Sequence, residues 1–152
     1  MIMTRYLIVA NQTLGGERLV ARIAKLLDQG PATLRFAVPV TDAEGTHQWD
    51  YPPTDRYVPD AHQIATVLAE ERLQRELARL RRLGVDADGE VVAPNPVERI
   101  RDLTEQEAFD EVIVSTLPKT VSRWLRLDLP HRLARVLSVP ISQIEGEAGP
   151  SI

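Results

Sequence analysis

Five short apolar runs, each too brief for a core helix, alternate along the chain with longer stretches whose apolar residues recur every three to four positions. That alternation admits few folds. A strand that rejoins its sheet through a helix runs parallel to its predecessor, and the crossover is right-handed. The first run, residues 5–10, is apolar at the consecutive positions Tyr6, Leu7, Ile8 and Val9, which suits a strand covered on both faces. Residues 33–40 form the second, with Pro39 near the end, where its missing N–H does least harm. A short third strand is expected at 90–92, after the interruption Asp86-Ala87-Asp88-Gly89, a fourth at 109–115 and a fifth at 139–144.

The stretches between them read as helices. In residues 17–29, Leu19, Ile23, Leu26 and Leu27 share a face, Glu17 sits in the first turn, and Gly30-Pro31 stops the segment. Asp60 is expected to cap a long helix to Leu83, with Ala69, Leu73, Leu77 and Leu80 as its apolar stripe and Gly84 beyond its end. Asn95 and Pro96 are expected as cap and first turn of a third helix through Ile100 and Leu103, and Asp128-Leu129-Pro130 as the start of a fourth to Leu137. One or two helical turns are expected within 121–127. Residues 41–59 lose all periodicity while collecting Pro52, Pro53, Pro59, Trp49, Tyr51 and Tyr57. They read as a long loop, either a lid or a surface insertion. The expected architecture is a three-layer α/β sandwich with a five-stranded parallel sheet and four main helices, as one domain over residues 1–145. Residues 146–152, with two Gly and one Pro, read as a flexible tail.

Composition narrows the function classes. No apolar run approaches the ~20 residues of a membrane span, cysteine is absent, and the start Met1-Ile2-Met3 lacks an export signal, so a cytoplasmic, membrane-free protein is expected. Sixteen of the 18 cationic residues are Arg, and five cations lie between Lys119 and Arg135 with only Asp128 opposed to them. A local basic face follows. The formal charge of −4 disfavours a nucleic-acid partner, which calls for a basic domain.

In doubly wound sheets, ligands sit beyond the carboxyl ends of the strands where the strand order reverses. Here that means the segments after the first and fourth strands. Asn11, Gln12 and Thr13, followed by Gly15 and Gly16 at a helix start, could present amide, hydroxyl and backbone N–H groups to a polar ligand, or merely cap the turn. Ser115, Thr116, Lys119, Ser122, Arg123 and Arg126 combine hydroxyls with cations on one connection and are the better anion candidates, against a reading as ordinary salt bridges. Trp124 reads as a helix anchor or a stacking platform.

Catalysis is not expected. Ser115, Asp128 and His131 are the residue types of a nucleophilic triad, but Asp128 and His131 stand three apart on one helix and no Gly-x-Ser-x-Gly elbow occurs. His47, His62 and His131 lack metal-ligand spacing, so neither a metal nor another cofactor is expected.

The opening Tyr6-Leu7-Ile8-Val9-Ala10 strand, Gly84 and the Gly89-Glu90-Val91-Val92 run, Asn95-Pro96, Phe109-Asp110-Glu111-Val112-Ile113-Val114 and the terminal Val139-Pro140-Ile141 together resemble the universal stress protein family, over residues 4–145. Ser115-Thr116-Leu117-Pro118, Ser122-Arg123-Trp124-Leu125-Arg126 and Asp128-Leu129-Pro130 resemble an actinobacterial-type branch of it. The resemblance implies an adenine nucleotide alpha-hydrolase-like fold, a stress-related role and a homodimer formed through the last strand. Nucleotide-binding members carry a G-2x-G-9x-G-[ST] loop after the fourth strand. This sequence has no glycine between Gly89 and Gly146, and Leu127-Asp128 stand where Gly-Ser would, placing a carboxylate where phosphate ordinarily binds. The family's Asp after the first strand is replaced by Asn11 or Gln12. The function expected on this resemblance is a non-enzymatic sensor of a small anionic or nucleotide-like ligand that does not use the usual ATP loop. The alternative is a ligand-free dimeric module for a protein partner, with Trp49 and Tyr51 on its surface.

Overall fold

The computed structural model describes residues 3–41, 61–118 and 128–150. Five strands, β1 (Thr4–Val9), β2 (Ala32–Pro39), β3 (Asp86–Val92), β4 (Glu111–Thr116) and β5 (Ile141–Glu145), form one sheet in the order β3-β2-β1-β4-β5. All four pairings are parallel. Four helices are present among the described residues: α1 (Glu17–Asp28), α2 (Ala61–Arg82), α3 (Val97–Gln106) and α4 (Leu129–Val136). The strand order reverses between β1 and β4, the two strands whose following segments carry the candidate ligand residues.

The consecutive apolar residues of β1 divide between two cores because successive side chains leave a strand on opposite faces. Tyr6, Ile8 and Ala10 pack with Leu19, Ile23 and Leu26 of α1 and Leu73, Leu77 and Leu80 of α2. Leu7 and Val9 pack with Ile100 and Leu103 of α3 and Leu129 and Leu133 of α4. Helices thus cover both faces, which is the expected sandwich. No helix among the described residues is long and apolar enough to cross a membrane.

Several boundaries differ from the sequence reading, each for a physical reason. β3 begins at Asp86 rather than Glu90, because the Asp-Ala-Asp-Gly stretch stays in register with β2 from Thr33 to Pro39. Gly89 is required there: a Cβ on it would lie 2.8 Å from the Phe36 carbonyl oxygen and 2.9 Å from Leu73 Cδ1, so α2 rests directly on the strand backbone. The cap of α3 is Pro96, not Asn95, and no side chain caps it. Asn95 Oδ1 accepts instead from Arg132 Nη2 at 3.4 Å. Asp128 does stand at the N-cap of α4, but in the left-handed region (φ 57°) with no capping hydrogen bond. Its Oδ1 accepts from His131 Nδ1 at 2.6 Å, so the carboxylate serves a side chain rather than the helix end. The loop at 41–59, apart from Thr41, and the turns expected at 121–127 lie outside the described residues.

Candidate functional site

The turn after β1 is built by three polar side chains that hold it against its neighbours. Asn11, 1% exposed, donates through Nδ2 to the Pro39 carbonyl at 2.7 Å and to Thr41 Oγ1 at 3.2 Å. Its Oδ1 accepts from Arg72 Nη1 at 2.9 Å. One amide therefore ties β1, the end of β2 and the middle of α2 together, and a buried amide is tolerated because its valences are met. Thr13 Oγ1 and Ser115 Oγ are 2.7 Å apart and both buried, joining the β1 turn to β4 across the point where the strand order reverses. Thr116 Oγ1 accepts weakly from Gln143 Nε2 on β5, at 3.5 Å.

Asn11, Gln12, Thr13, Gly15, Gly16, Ser115 and Thr116 therefore do converge on one sheet edge. Lys119, Ser122, Arg123 and Arg126, together with Trp124, lie outside the described residues. Asn11, Thr13, Ser115 and Thr116 are all buried and hydrogen-bonded within the chain.

The glycine pair receives part of the chain itself. The segment after β5, read from composition as a frayed tail, crosses the β1 turn and is tied at three points. The Gly146 amide donates to the Thr116 carbonyl at 2.9 Å, and the Gly149 amide to the Gln12 carbonyl at 2.8 Å. Between them, Glu147 Oε1 accepts from the Arg18 backbone amide at 2.8 Å, in the first turn of α1. Arg18 Nη1 adds a bond to the Glu145 carbonyl at 3.1 Å. The backbones approach so closely that a Cβ on Gly149 would overlap the Leu14 carbonyl oxygen, and one on Gly16 would overlap the Glu147 carbonyl oxygen. Gly15, at φ +80°, lies under the Pro150 ring.

Glu147 thus occupies the N-terminus of α1, where unpaired amides and the helix dipole favour a negative charge. The hydrogen bond from the Arg18 amide, assisted by the Arg18 charge, holds its carboxyl below the usual carboxylate range. A depressed folded value means that the contact is fully favourable above the unfolded carboxylate pKa of ~4.3 and is lost as the pH falls through the lower folded value. The Arg18 amide proton is therefore expected to titrate with a midpoint below 4.3, measurable by proton–nitrogen NMR from about pH 6 to pH 2.5. Glu147→Gln should remove that titration; an unchanged titration would mean that another carboxylate is responsible.

Sequence reasoning missed this segment because its contacts are made by backbone amides and one glutamate. The only local hint is the two glycines, Gly146 and Gly149, flanking that glutamate. It also missed Arg72, whose role depends on α2 carrying its side chain to Asn11 in the turn after β1.

No protein-family model matches the sequence, and none of the curated proteins does. Solved structures match the fold. A universal stress protein in complex with cAMP aligns with TM-score 0.58 and 16% identity, over 93% of this chain and 96% of that one. A universal stress protein family protein from Arabidopsis thaliana with AMP bound aligns with TM-score 0.59 and 8% identity, over 93% and 91% of the two chains. A universal stress protein from Archaeoglobus fulgidus aligns with TM-score 0.54 and 12% identity, over 95% and 100%. The chain has the universal stress protein fold, an adenine nucleotide alpha-hydrolase-like sandwich along nearly its whole length.

Proposed function

We propose that this protein is a non-catalytic, dimeric universal-stress-protein-like sensor of a small anionic, nucleotide-like ligand, and that its own C-terminal segment competes for the ligand's place. The carrying observation is the Glu147 carboxylate on the Arg18 amide at 2.8 Å. An internal anion sits where an external one would bind, on a segment held by few hydrogen bonds. Two structural relatives carry cAMP and AMP, which supports a nucleotide as the class of ligand to test first. Catalysis is left out of this reading because Ser115 is hydrogen-bonded to Thr13 and His131 to Asp128, so the hydroxyl has no described base beside it. The dimer would form at the outer edge of β5, which among the described residues pairs with β4 alone.

The double variant Glu147→Ala/Gly149→Val tests the competition, since it removes the internal anion and places a side chain where the backbone admits none. Calorimetric titration with AMP is expected to show at least tenfold tighter binding than wild type. The second reading, a ligand-free interaction module, is favoured by the internal satisfaction of Asn11, Thr13 and Ser115. Absence of AMP, cAMP or ATP binding to both proteins would select it.

A further inference from the structure

The segment that crosses the β1 turn lies on a surface it does not help to build. Gln12 to Gly16, Arg18 and Thr116 form that surface, and the hydrogen bonds of Asn11 and of the Thr13–Ser115 pair hold the turn in place. The five strands pair with one another without the segment. A groove held by the rest of the chain costs an incoming peptide little beyond the peptide's own ordering.

The contacts in the groove amount to a short code. Glu147 accepts from the Arg18 amide at 2.8 Å, at the positive end of α1. Ala148 is exposed, so its side chain is not selected. Gly149 must lack a Cβ, which would overlap the Leu14 carbonyl oxygen, and its amide donates to the Gln12 carbonyl at 2.8 Å. Pro150 lays its ring on Gly15, with Cδ 3.0 Å from where a Cβ would stand, and with Leu14 and Val20 it walls a cavity of about 140 Å³ beneath α2. The groove makes a matching demand, since a Cβ on Gly16 would overlap the Glu147 carbonyl oxygen. Main-chain bonds give hold and a few side-chain positions give selection, which is how grooves recognise short extended peptides. None of these contacts requires the peptide to belong to the same chain.

We propose that this groove is an interaction surface for a partner protein bearing an exposed Glu-x-Gly-Pro segment, and that residues 147–150 occupy it as the chain's own stand-in. Such binding rests on the same release of Glu147 from Arg18 as the nucleotide reading, but not on which anion takes its place. A tethered segment stays seated only if its dissociation constant lies below its effective concentration, which is on the order of millimolar for a short tether. The same peptide added freely should therefore bind at about millimolar or tighter once the tethered copy is lifted.

The test is a proton–nitrogen NMR titration of the full chain with a peptide of residues 145–150, acetylated and amidated so that its termini carry no charge. Gly149→Val in the chain unseats its own segment and leaves the groove residues unchanged. Saturable shifts are expected in that variant at the amides of Gly16 and Arg18, with Arg18 moving toward its wild-type position. Wild type, whose groove is filled, should bind the peptide at least tenfold more weakly. A peptide carrying Gly149→Val should lose at least tenfold in affinity, and one carrying Glu147→Gln severalfold. Glu147→Lys in the chain sets a cation against the N-terminus of α1, opens the groove by a second route, and should bind the peptide as Gly149→Val does. Absence of binding to both variants with folded spectra, equal binding of the Gly149→Val peptide, or equal binding by wild type would each overturn the proposal. AMP binding by variants that ignore the peptide would overturn it as well, while leaving the nucleotide reading intact.

Discussion

Phe36→Ala is expected to be the most damaging single substitution in this chain, lowering the free energy of unfolding by about 3–5 kcal/mol. Phe36 is fully buried at the centre of β2, with Ile8 beside it in register on β1 and Gly89 on β3. Truncation removes the apolar contact and leaves a hole that its surroundings cannot close. The missing Cβ of Gly89 makes collapse harder, because β3 offers no side chain at the position in register with Phe36 and Leu73 already rests on the glycine backbone. Thermal unfolding should fall by on the order of 10 °C for a chain of this size. A fall of only one or two degrees would mean that the Phe36 site is loosely packed.

The second large effect is expected at the hydroxyl pair that closes the switch point. Thr13→Val keeps the side-chain shape but deprives Ser115 Oγ of its 2.7 Å partner in a site from which water is excluded. The cost of a buried unsatisfied hydroxyl is about 1–3 kcal/mol, well above the net worth of a typical neutral hydrogen bond. The double variant Thr13→Val/Ser115→Ala, which removes both polar partners, should therefore recover much of the loss. A double-mutant cycle by urea unfolding measures this, with a coupling near or above 1 kcal/mol expected. Simple additivity would place a second partner, such as a bound water, on Ser115.

The fold was legible because its signals are local and repeated. The apolar continuity of Tyr6 to Ala10 and the helical stripe Ala69, Leu73, Leu77 and Leu80 report burial on two faces and on one, and both sets are buried. β3 was shortened in the reading because Asp86, Asp88 and Gly89 are poor strand formers singly. Their strand state is imposed by pairing with β2 along one side and by α2 above. The convergence of Asn11, Thr13, Ser115 and Thr116 followed from topology alone, since strand order places those segments together. Their occupancy did not. Whether Asn11 faces a ligand or clamps Pro39, Thr41 and Arg72 depends on contacts spanning 28 to 61 residues in sequence, which no local pattern encodes. The same holds for Glu147, whose partner lies 129 residues earlier.

These contacts bring the C-terminal segment to two places on the fold. It places a carboxylate on the N-terminus of α1, and its proline borders the cavity beneath α2. Binding at the sheet edge would then be coupled to the position of Pro150, because lifting Glu147 and Gly149 frees the proline that walls the cavity. That coupling needs no rearrangement of the sheet, whose pairing is complete without the segment.

Amide hydrogen exchange at Gly146 and Gly149 in the unliganded protein at neutral pH tests the central claim most directly. A segment seated on the β1 turn predicts protection well above that of an unstructured peptide at both amides, lost at Gly149 when saturating AMP takes the place of Glu147. Exchange of both at the unstructured rate without ligand would show that the segment does not hold the turn, and would contradict the account.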